Sequence, residues 1–159
     1  MPKESEPHDV TKLPPRKLYR HVAKRLFELE IRIGRECLPH EVQYLNIAAA
    51  FHGETLNGGM VQYFTNSSGK DYKLALVALR VIGATLQAKL ALKWLKQLPS
   101  SVSAEDPKQV GRCVFGDPHL ARTLASIDRE YFEAAGVFYE KFAGYVKLIW
   151  KVLRPLLTS

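Results

Sequence analysis

The sequence predicts an all-α fold: a single compact domain of several helices that follows a flexible N-terminal tail. Apolar residues recur at spacings of three and four over most of the chain, which is the period of an amphipathic helix. Few segments alternate with a period of two, as strands would, and proline or glycine separates the helical stretches. The chain has 159 residues, 47% hydrophobic and 25% charged. This length and composition are typical of one globular domain and exclude a largely disordered chain.

Residues 1–15 are predicted to be a disordered tail, and residues 16–159 are predicted to be the helical domain. The tail carries prolines among charged and small polar residues, and it has no apolar period. Pro15 suits the first turn of a helix. One apolar stripe, formed by Leu18, Val22, Leu26, Leu29 and Ile33, then predicts a helix. Either Gly34 or the Leu38-Pro39 step is predicted to end it.

A second helix is predicted over residues 39–53, because glycine commonly follows the last residue of a helix. Residues 57–59, Asn-Gly-Gly, are the strongest turn signal in the chain. We interpret Asn57 as the cap of a short helix that runs through Phe64. A loop is predicted at residues 66–69.

Asp71 is predicted to cap a third helix that breaks at Gly83, and a fourth helix is predicted to run to Pro99. Residues 99–117 are rich in proline, serine and glycine. They are predicted to form an irregular surface connection with a short helix over residues 108–113.

Asp117 and Pro118 are a cap followed by proline, which predicts the start of a long helical stretch. Interruptions are predicted at Gly136 or Gly144, and Pro155 is predicted to end the stretch. Its aromatic residues are typical of a core, but they cover more than one helix face, which leaves burial in a homodimer open. They are Tyr131, Phe132, Phe138, Tyr139, Phe142, Tyr145 and Trp150.

An uncharged polar segment occupies residues 55–69, where no residue carries a charge. Paired glycines permit close approach of the backbone, and buried amides and hydroxyls need partners. The segment is therefore either a structural hub whose polar groups satisfy one another or a neutral polar pocket. We call its key residues the motif: Glu54, Asn57, Gly58, Gly59, Gln62, Tyr63, Asn66, Ser67, Ser68 and Gly69.

The motif, followed by Leu79, Ile82, Gly83 and Ala84, resembles the signature of a known family, the small helical bacterial domain named after a DNA-mimic protein. That signature reads Glu-x-x-Asn-Gly-Gly-Phe-x-Gln-Tyr-Phe-x-Asn-Ser-Ser-Gly, and Met60 stands here where the family usually has Phe. The resemblance implies an all-α fold. In the studied type of member it also implies a dimer that imitates the charge of DNA and occupies the DNA-binding face of a regulator.

The net charge of +7 separates this chain from such an activity. Imitating DNA requires acidic side chains spaced like phosphates, because the mimic competes through the same electrostatic attraction. The best candidate acidic face is small: Asp128, Glu130, Glu133 and Glu140. We therefore expect the fold of the family without the mimic activity.

The basic residues are concentrated in stripes on three predicted helices. Residues 12–25 hold six basic residues and no acid, and residues 70–98 hold six against Asp71 alone. Such stripes are compatible with nucleic-acid binding, with an acidic protein partner, or with an ordinary solvated face. The stripes are Arg16, Arg20 and Lys24; Lys89, Lys93 and Lys96; and Lys147, Lys151 and Arg154.

Metal and cofactor sites are not predicted. Cys37 with His40 and Cys113 with His119 could in principle supply four zinc ligands. The two pairs are far apart in the sequence and match no recognised zinc motif, so a buried thiol and surface imidazoles are the preferred interpretation.

A catalytic role would centre on Glu54 as general base, with Tyr63 and nearby amides as donors to a developing oxyanion. The other candidates are His52, Asn57, Gln62 and Asn66. The alternative is structural, because Glu54 could instead satisfy backbone N–H groups at the turn that follows it, and we prefer it.

The sequence therefore favours a non-enzymatic regulatory or adaptor domain that binds another macromolecule, preferably a protein. The first alternative is nucleic-acid binding through the basic helix faces. The second is a small-molecule pocket or hydrolase-like enzyme around residues 54–69. No apolar run suits a membrane span or a signal peptide, and two cysteines make no disulfide framework, so a cytoplasmic location is expected.

Overall fold

The computed structural model describes residues 9–158, and within this range it is built from α-helices and short 3-10 turns without a strand, which confirms the all-α prediction. The helices are α1 (Pro15–Ile33), α2 (His40–Thr65), α3 (Tyr72–Val81), α4 (Thr85–Leu95), α5 (Pro107–Gly116), α6 (Pro118–Glu133), α7 (Ala135–Leu148) and α8 (Trp150–Leu157). The 3-10 turns are Val10–Lys12, Arg35–Cys37 and Ser67–Asp71.

The long helix α2 lies at the centre of the domain and packs against α1, α3, α5, α6 and α7. Large aromatic side chains fill the space around it. Phe64 of α2 stacks on Trp94 of α4, with 4.8 Å between the ring centroids. Phe51 meets the edge of Tyr63 at 4.7 Å. All four side chains are almost completely buried, so α2 is anchored in the hydrophobic core both before and after residues 57–59.

Helix α1 has the bounds that its apolar stripe predicts, and Leu18, Val22, Leu26 and Leu29 are all buried. It packs mainly against α7, near the other end of the chain, and also against α2 and α8. Tyr19 contacts three aromatic rings of α7, and its hydroxyl donates to the carbonyl of Ala49 at 3.2 Å. The N-terminal and C-terminal elements therefore form one side of the domain.

Part of the predicted tail is folded. Residues 10–12 form a 3-10 turn that Asp9 caps by accepting from the backbone N–H of Thr11 at 3.2 Å. The turn contacts α1 and α7, and the half-buried Val10 and Leu13 pack against the core. These two apolar side chains explain why residues 9–15 adopt a definite position. Residues 1–8, the remainder of the predicted tail, lie outside the described residues.

The predicted helix boundary at Gly53 is wrong, since α2 continues to Thr65. Gly53 lies inside the helix, where an added Cβ would be 3.4 Å from the Tyr19 hydroxyl. Its neighbours Phe51, His52 and Thr55 are buried on both sides of it. Burial of this helix face in the core outweighs the weak helix propensity of a single glycine.

The breaks in the C-terminal helical stretch also differ from the prediction. They fall at Ala134 and Ile149, where residues outside helical geometry separate α6, α7 and α8, rather than at Gly136 or Gly144. The two glycines are exposed inside α7, where no packing contact requires a bend. Pro155 lies inside α8 instead of ending the stretch, and it is exposed two residues before the last helical residue.

Two aspartate caps show how local sequence sets the helix starts. Asp117 accepts from the N–H groups of His119 and Leu120 and begins α6, as predicted. Asp106 does the same for α5, which begins at Pro107 and is longer than the predicted helix. Asp71 precedes α3 but caps nothing with its side chain, because a 3-10 turn leads directly into the helix.

Gly83 ends α3 with a Schellman motif, which accounts for the Gly-Ala pair that follows the motif. With Gly83 at a φ of +84°, its N–H bonds to the carbonyl of Arg80, and the N–H of Ala84 bonds to the carbonyl of Leu79. Leu79 and Ala84 are both fully buried at this junction. This part of the sequence pattern is therefore a helix stop that directs the chain into α4.

Candidate functional site

The motif spans a kink in α2. The backbone leaves helical geometry at Gly58 and Gly59, and a second short run of helix continues from Met60 to Thr65. Gly59 has a φ of +76° and a ψ of 174°, a conformation that is essentially restricted to glycine. The Asn-Gly-Gly turn signal was therefore interpreted correctly as a break, but Asn57 is exposed and the cap comes from elsewhere.

Asp128 of α6 caps the second part of α2. Its Oδ1 accepts from the backbone N–H of Met60 at 3.0 Å, in the position that an N-cap side chain normally supplies from the same helix. A Cβ on Gly59 would be 2.4 Å from the other carboxylate oxygen, so glycine is required there for a second, steric reason. Burial raises the pKa of the Asp128 carboxyl, and the bond from Met60 partly offsets this by lowering it.

Glu54 joins the two sides of the kink. Its Oε2 accepts from the Gln62 side-chain amide at 2.9 Å and from the Asn66 amide at 2.6 Å. The carboxylate precedes the kink and both amides follow it. Three polar residues of the motif therefore satisfy one another, as the structural alternative predicts, and the carboxylate proposed as a general base is occupied by these two donors.

Gly69 explains the Ser-Ser-Gly end of the motif. A Cβ at this position would lie 2.7 Å from the carbonyl oxygen of Phe64, too close for any other residue without a backbone shift. The 3-10 turn Ser67–Asp71 is thereby seated directly on the end of α2. The turn holds Ser68 in a fixed position beside Tyr63.

A small cleft of about 160 Å³ lies beside Tyr63, on the side of α2 that faces the turn. Tyr63 is 2% exposed, and its hydroxyl makes no hydrogen bond to any residue between 9 and 158. Burial raises the pKa of the phenol; the charge of Asp71 adds to this, and that of Arg35 opposes it. The residues around the cleft are Arg35, Ile47, Ala50, Tyr63, Ser68, Lys70 and Asp71.

His52 belongs to a separate, fully buried cluster. Its ring stacks on Phe138 with 3.8 Å between centroids, and its Nδ1 lies 2.9 Å from the Tyr131 hydroxyl. Burial lowers the pKa of His52 to about 3, so the ring is neutral at ordinary pH. It has no access to solvent, which argues for a core histidine rather than a catalytic one.

The basic stripe on α4 forms one wall of an open groove whose other wall is α6. The groove holds about 440 Å³, and an adjoining hollow along α4 holds about 310 Å³. Lys89, Lys96 and Arg122 are exposed here and form no ion pair with an acid in the described part of the chain. Lys93 is different, because it pairs with Glu130 of α6 at 2.6 Å. Sequence analysis missed Arg122, which no spacing rule links to α4.

The other two basic stripes lie elsewhere. Arg16, Arg20 and Lys24 are exposed along α1. Lys147, Lys151 and Arg154 are exposed on α7 and α8, which pack against α1, whereas α4 packs against α3 and α6. The α4 stripe therefore belongs to a different neighbourhood from the other two.

The proposed acidic face is not formed. Asp128 is 8% exposed and caps α2, and Glu130 is neutralised by Lys93. Only Glu133 and Glu140 remain as exposed acids of that set without an ion pair to a described residue. The four acids are close together in the sequence, but the fold places Asp128 in the core and the other three on the surface.

The cysteine and histidine pairs are not brought together as a metal site. Cys37 is exposed and Cys113 is half-buried, and both are free thiols, so the prediction of a buried thiol is wrong. Over residues 9–158, no three His, Cys, Asp or Glu side chains lie close enough to hold a metal ion. No helix in that range is both long enough and apolar enough to span a bilayer.

The aromatic residues of α6–α8 divide between core and surface. Tyr131, Phe138, Phe142 and Tyr145 are buried, whereas Phe132 is 43% exposed. Tyr139 and Trp150 are half-buried against the core. Most of the set is thus accounted for inside one chain, and the homodimer stays a prediction.

Comparison with known proteins gives one match. A family model described as DMP19-like protein matches residues 36–148, which include the whole motif, the kink and the Asp128 cap. Neither a curated protein nor a solved structure matches the chain.

This match corrects the family assignment drawn from the motif. The matching description is DMP19-like protein and carries no DNA-mimic label, so the assignment to the DNA-mimic family is replaced by the one that the match gives. The glycines and amides of the motif are requirements of the α2 kink, and they report the fold rather than a surface charge pattern.

Proposed function

The chain belongs to the DMP19-like protein family, and on that premise we propose that it is a non-enzymatic adaptor or regulatory domain that binds an acidic partner protein in the groove between α4 and α6. The observation that carries the proposal is the groove itself. It is open to solvent and large enough for a peptide segment. Three exposed cations at the groove and the adjoining hollow, Lys89, Lys96 and Arg122, have no acidic partner among residues 9–158. Cations left unpaired beside a hollow are available for an incoming acid.

The lining of the groove favours a protein over a nucleic acid. Leu92 and Ile127 contribute apolar surface, and Thr123 and Ser126 contribute hydroxyls. Mixed apolar, polar and charged groups match the side chains of an acidic peptide segment better than a uniform row of phosphates.

The separation of the basic stripes supports the same choice. A nucleic acid several turns long would be tracked by cations spread along one continuous surface. Here the α4 stripe lies beside α6, while the α1 stripe lies beside α7 and α8. A partner that needs only the α4–α6 groove fits this distribution.

The motif supports a role without catalysis. Glu54 is held by two side-chain amides, and the kink that it bridges is needed for the fold. Glu54, the candidate general base, does not line the cleft beside Tyr63, so the two side chains do not face one common cleft.

The test compares two triple charge reversals with equal change in net charge. The groove variant is Lys89→Glu, Lys96→Glu and Arg122→Glu, and the control is Arg16→Glu, Arg20→Glu and Lys147→Glu. Immobilised proteins are exposed to nuclease-treated lysate of the source cells, and retained proteins are identified and re-tested in purified form. We expect an acidic protein that binds the wild type and the control, and that binds the groove variant at least about tenfold more weakly.

Two results would overturn the proposal. One is equal binding of every retained protein to the groove variant and the control. The other is salt-sensitive binding of random duplex DNA that the groove reversal abolishes while no purified protein binds, which would establish the nucleic-acid alternative.

A further inference from the structure

We propose that the cleft beside Tyr63 is a binding site for a small zwitterion of the amino-acid class, a molecule that carries a carboxylate and an ammonium group a few bonds apart. This site is distinct from the α4–α6 groove, and the inference does not depend on the proposed partner. The cleft holds about 160 Å³, which suits a ligand of only a few non-hydrogen atoms.

The Tyr63 hydroxyl is the first argument. The side chain is 98% buried, and yet the hydroxyl makes no hydrogen bond within the described range of residues. Tyr63 lines the cleft together with Asp71 and Arg35, and its hydroxyl is not among the fully buried atoms without a partner, so it is accessible from the opening. A polar group kept at the edge of a core without a partner is a group that a ligand can satisfy.

Arg35 is held in place for a carboxylate. Its Nε donates to Oε1 of Glu30 at 2.8 Å, and Oε2 of Glu30 accepts from the Asn46 amide at 2.5 Å. This chain of contacts fixes the guanidinium from behind. Its terminal nitrogens make no hydrogen bond to residues 9–158, which leaves them available for a second carboxylate.

The remaining charges make the cleft amphoteric. Lys70 adds a second cation at the rim, and Asp71 adds an exposed carboxylate that caps no helix and forms no ion pair in the described structure. A dianion such as phosphate would be opposed by Asp71. An ammonium group on the ligand would instead be attracted to Asp71 while the ligand carboxylate meets Arg35 and Tyr63.

The site is rigid because of the motif. Gly69 seats the Ser67–Asp71 turn against the backbone of Phe64, which fixes Ser68 at the wall of the cleft. Ile47 is buried beneath the opening and supplies an apolar wall. Pre-positioned donors reduce the entropy that a small ligand would otherwise lose on binding.

The experiment measures backbone amide chemical-shift changes during titration of the intact protein with glycine, alanine and serine. Acetate, methylamine and inorganic phosphate are titrated separately as single-charge and dianion probes. We expect the amino acids to shift residues 35, 63 and 68–71 in a saturable way at millimolar concentration. We expect acetate to bind about tenfold more weakly and methylamine not to saturate.

Two substitutions locate the contacts. Tyr63→Phe is expected to weaken amino-acid binding about tenfold, since it removes one hydrogen bond to a charged group. Asp71→Asn is expected to weaken amino-acid binding and to leave acetate binding unchanged or tighter, because it removes the ammonium partner and a charge that repels an anion. The matched control is Tyr72→Phe. Tyr72 follows Asp71 in the chain but does not line the cleft, so this variant is expected to bind like the wild type.

The inference is overturned if no amino acid shifts these residues, or if acetate or phosphate binds as tightly as the amino acids do. It is equally overturned if Tyr63→Phe, with its fold verified by an unchanged spectrum elsewhere, binds like the wild type. Loss of partner binding at the α4–α6 groove would affect neither result, so the two proposals fail independently.

Discussion

The kink of α2 and the cleft beside Tyr63 are built from one motif, but they treat polar groups in opposite ways. At the kink, Asp128 takes the N–H of Met60, and Glu54 takes two amides. At the cleft, the Tyr63 hydroxyl and the terminal nitrogens of Arg35 are left without partners in the described structure. Paired groups stabilise the fold, whereas unpaired groups at an opening are available to a ligand. A motif can therefore be both a structural hub and one wall of a pocket.

The largest effect is expected at Gly59, where the kink depends on a conformation that other residues avoid. Gly59→Ala forces a residue with a Cβ to a φ of +76° and brings that Cβ within 2.4 Å of Asp128. We expect the free energy of unfolding in urea to fall by about 3 kcal/mol from backbone strain and the lost cap. The control is Gly136→Ala, where an added Cβ would have no atom within 4 Å apart from its chain neighbours and the local helix backbone. There alanine is expected to be neutral or slightly stabilising. Equal effects at the two glycines would contradict the strained kink.

The next effect concerns the buried pair formed by His52 of α2 and Tyr131 of α6. The pKa of His52 is lowered by burial to about 3 from its ordinary value of 6.5. Its contribution to stability is therefore complete above pH 6.5 and is lost as the pH falls toward 3. We expect the free energy of unfolding to decrease by about 2 kcal/mol between pH 6.5 and 5, at about 1.4 kcal/mol per pH unit.

His52→Phe is the variant that isolates this pH dependence. Phenylalanine keeps the ring that stacks on Phe138 and removes the titrating group. We expect its free energy of unfolding to be lower at pH 7, because Tyr131 loses a partner, and to depend less on pH than that of the wild type. A variant with an unchanged slope between pH 6.5 and 5 would show that the pH dependence has another source.

A smaller effect is expected from Glu54→Gln, which weakens the bridge across the kink. The carboxylate accepts from Gln62 and Asn66, but the cluster is partly exposed, so water replaces some of the lost interaction. We expect a loss of about 1 kcal/mol in urea unfolding with an unchanged fold. Glu133→Gln, at an exposed acid without an ion pair to a described residue, should leave stability unchanged. If Glu54→Gln is also neutral, the amide cluster does not stabilise the kink.

The smallest effect on stability is expected for Tyr63→Phe. This variant tests most directly whether the cleft, unlike the kink, leaves its polar groups without partners. The Tyr63 hydroxyl has no partner in the described structure, so we expect a change within about 0.5 kcal/mol in the free energy of unfolding. Tyr131→Phe makes the same chemical change at a buried hydroxyl that pairs with His52 at 2.9 Å. That variant should lose about 1–3 kcal/mol. Equal losses would show that the Tyr63 hydroxyl has a structural partner after all.

The sequence was most informative where contacts are local. The α1 stripe and the Asp117–Pro118 start of α6 depend on residues within one or two turns, and both are as predicted. The glycines at 58 and 59 also indicated a break. The cap of the second part of α2 could not be predicted from neighbouring residues, because it is Asp128, 68 positions after Met60.

The candidate sites were less predictable for the same physical reason. The cleft combines Arg35, which Glu30 and Asn46 hold, with Tyr63 and a turn that Gly69 seats on α2. The groove combines the α4 stripe with Arg122 of α6. These juxtapositions arise from packing between helices, and no spacing rule within one helix contains them. The motif was recognisable as polar and uncharged, but pattern alone left open which of its groups are paired.

The packing of α1 against α7 and α8 has a consequence for the order of assembly. Three of the ring partners of Tyr19 are Phe138, Tyr139 and Phe142, more than a hundred positions further along the chain. During synthesis α1 emerges before α7, so the part of its apolar face that packs on α7 stays uncovered until that helix has been translated. Helices α2–α6 contact one another in the meantime and can assemble around the kink. Helix α1 is therefore expected to complete its packing only after α7 has been translated, and the part of its stripe that is still uncovered is a target for a chaperone during that interval.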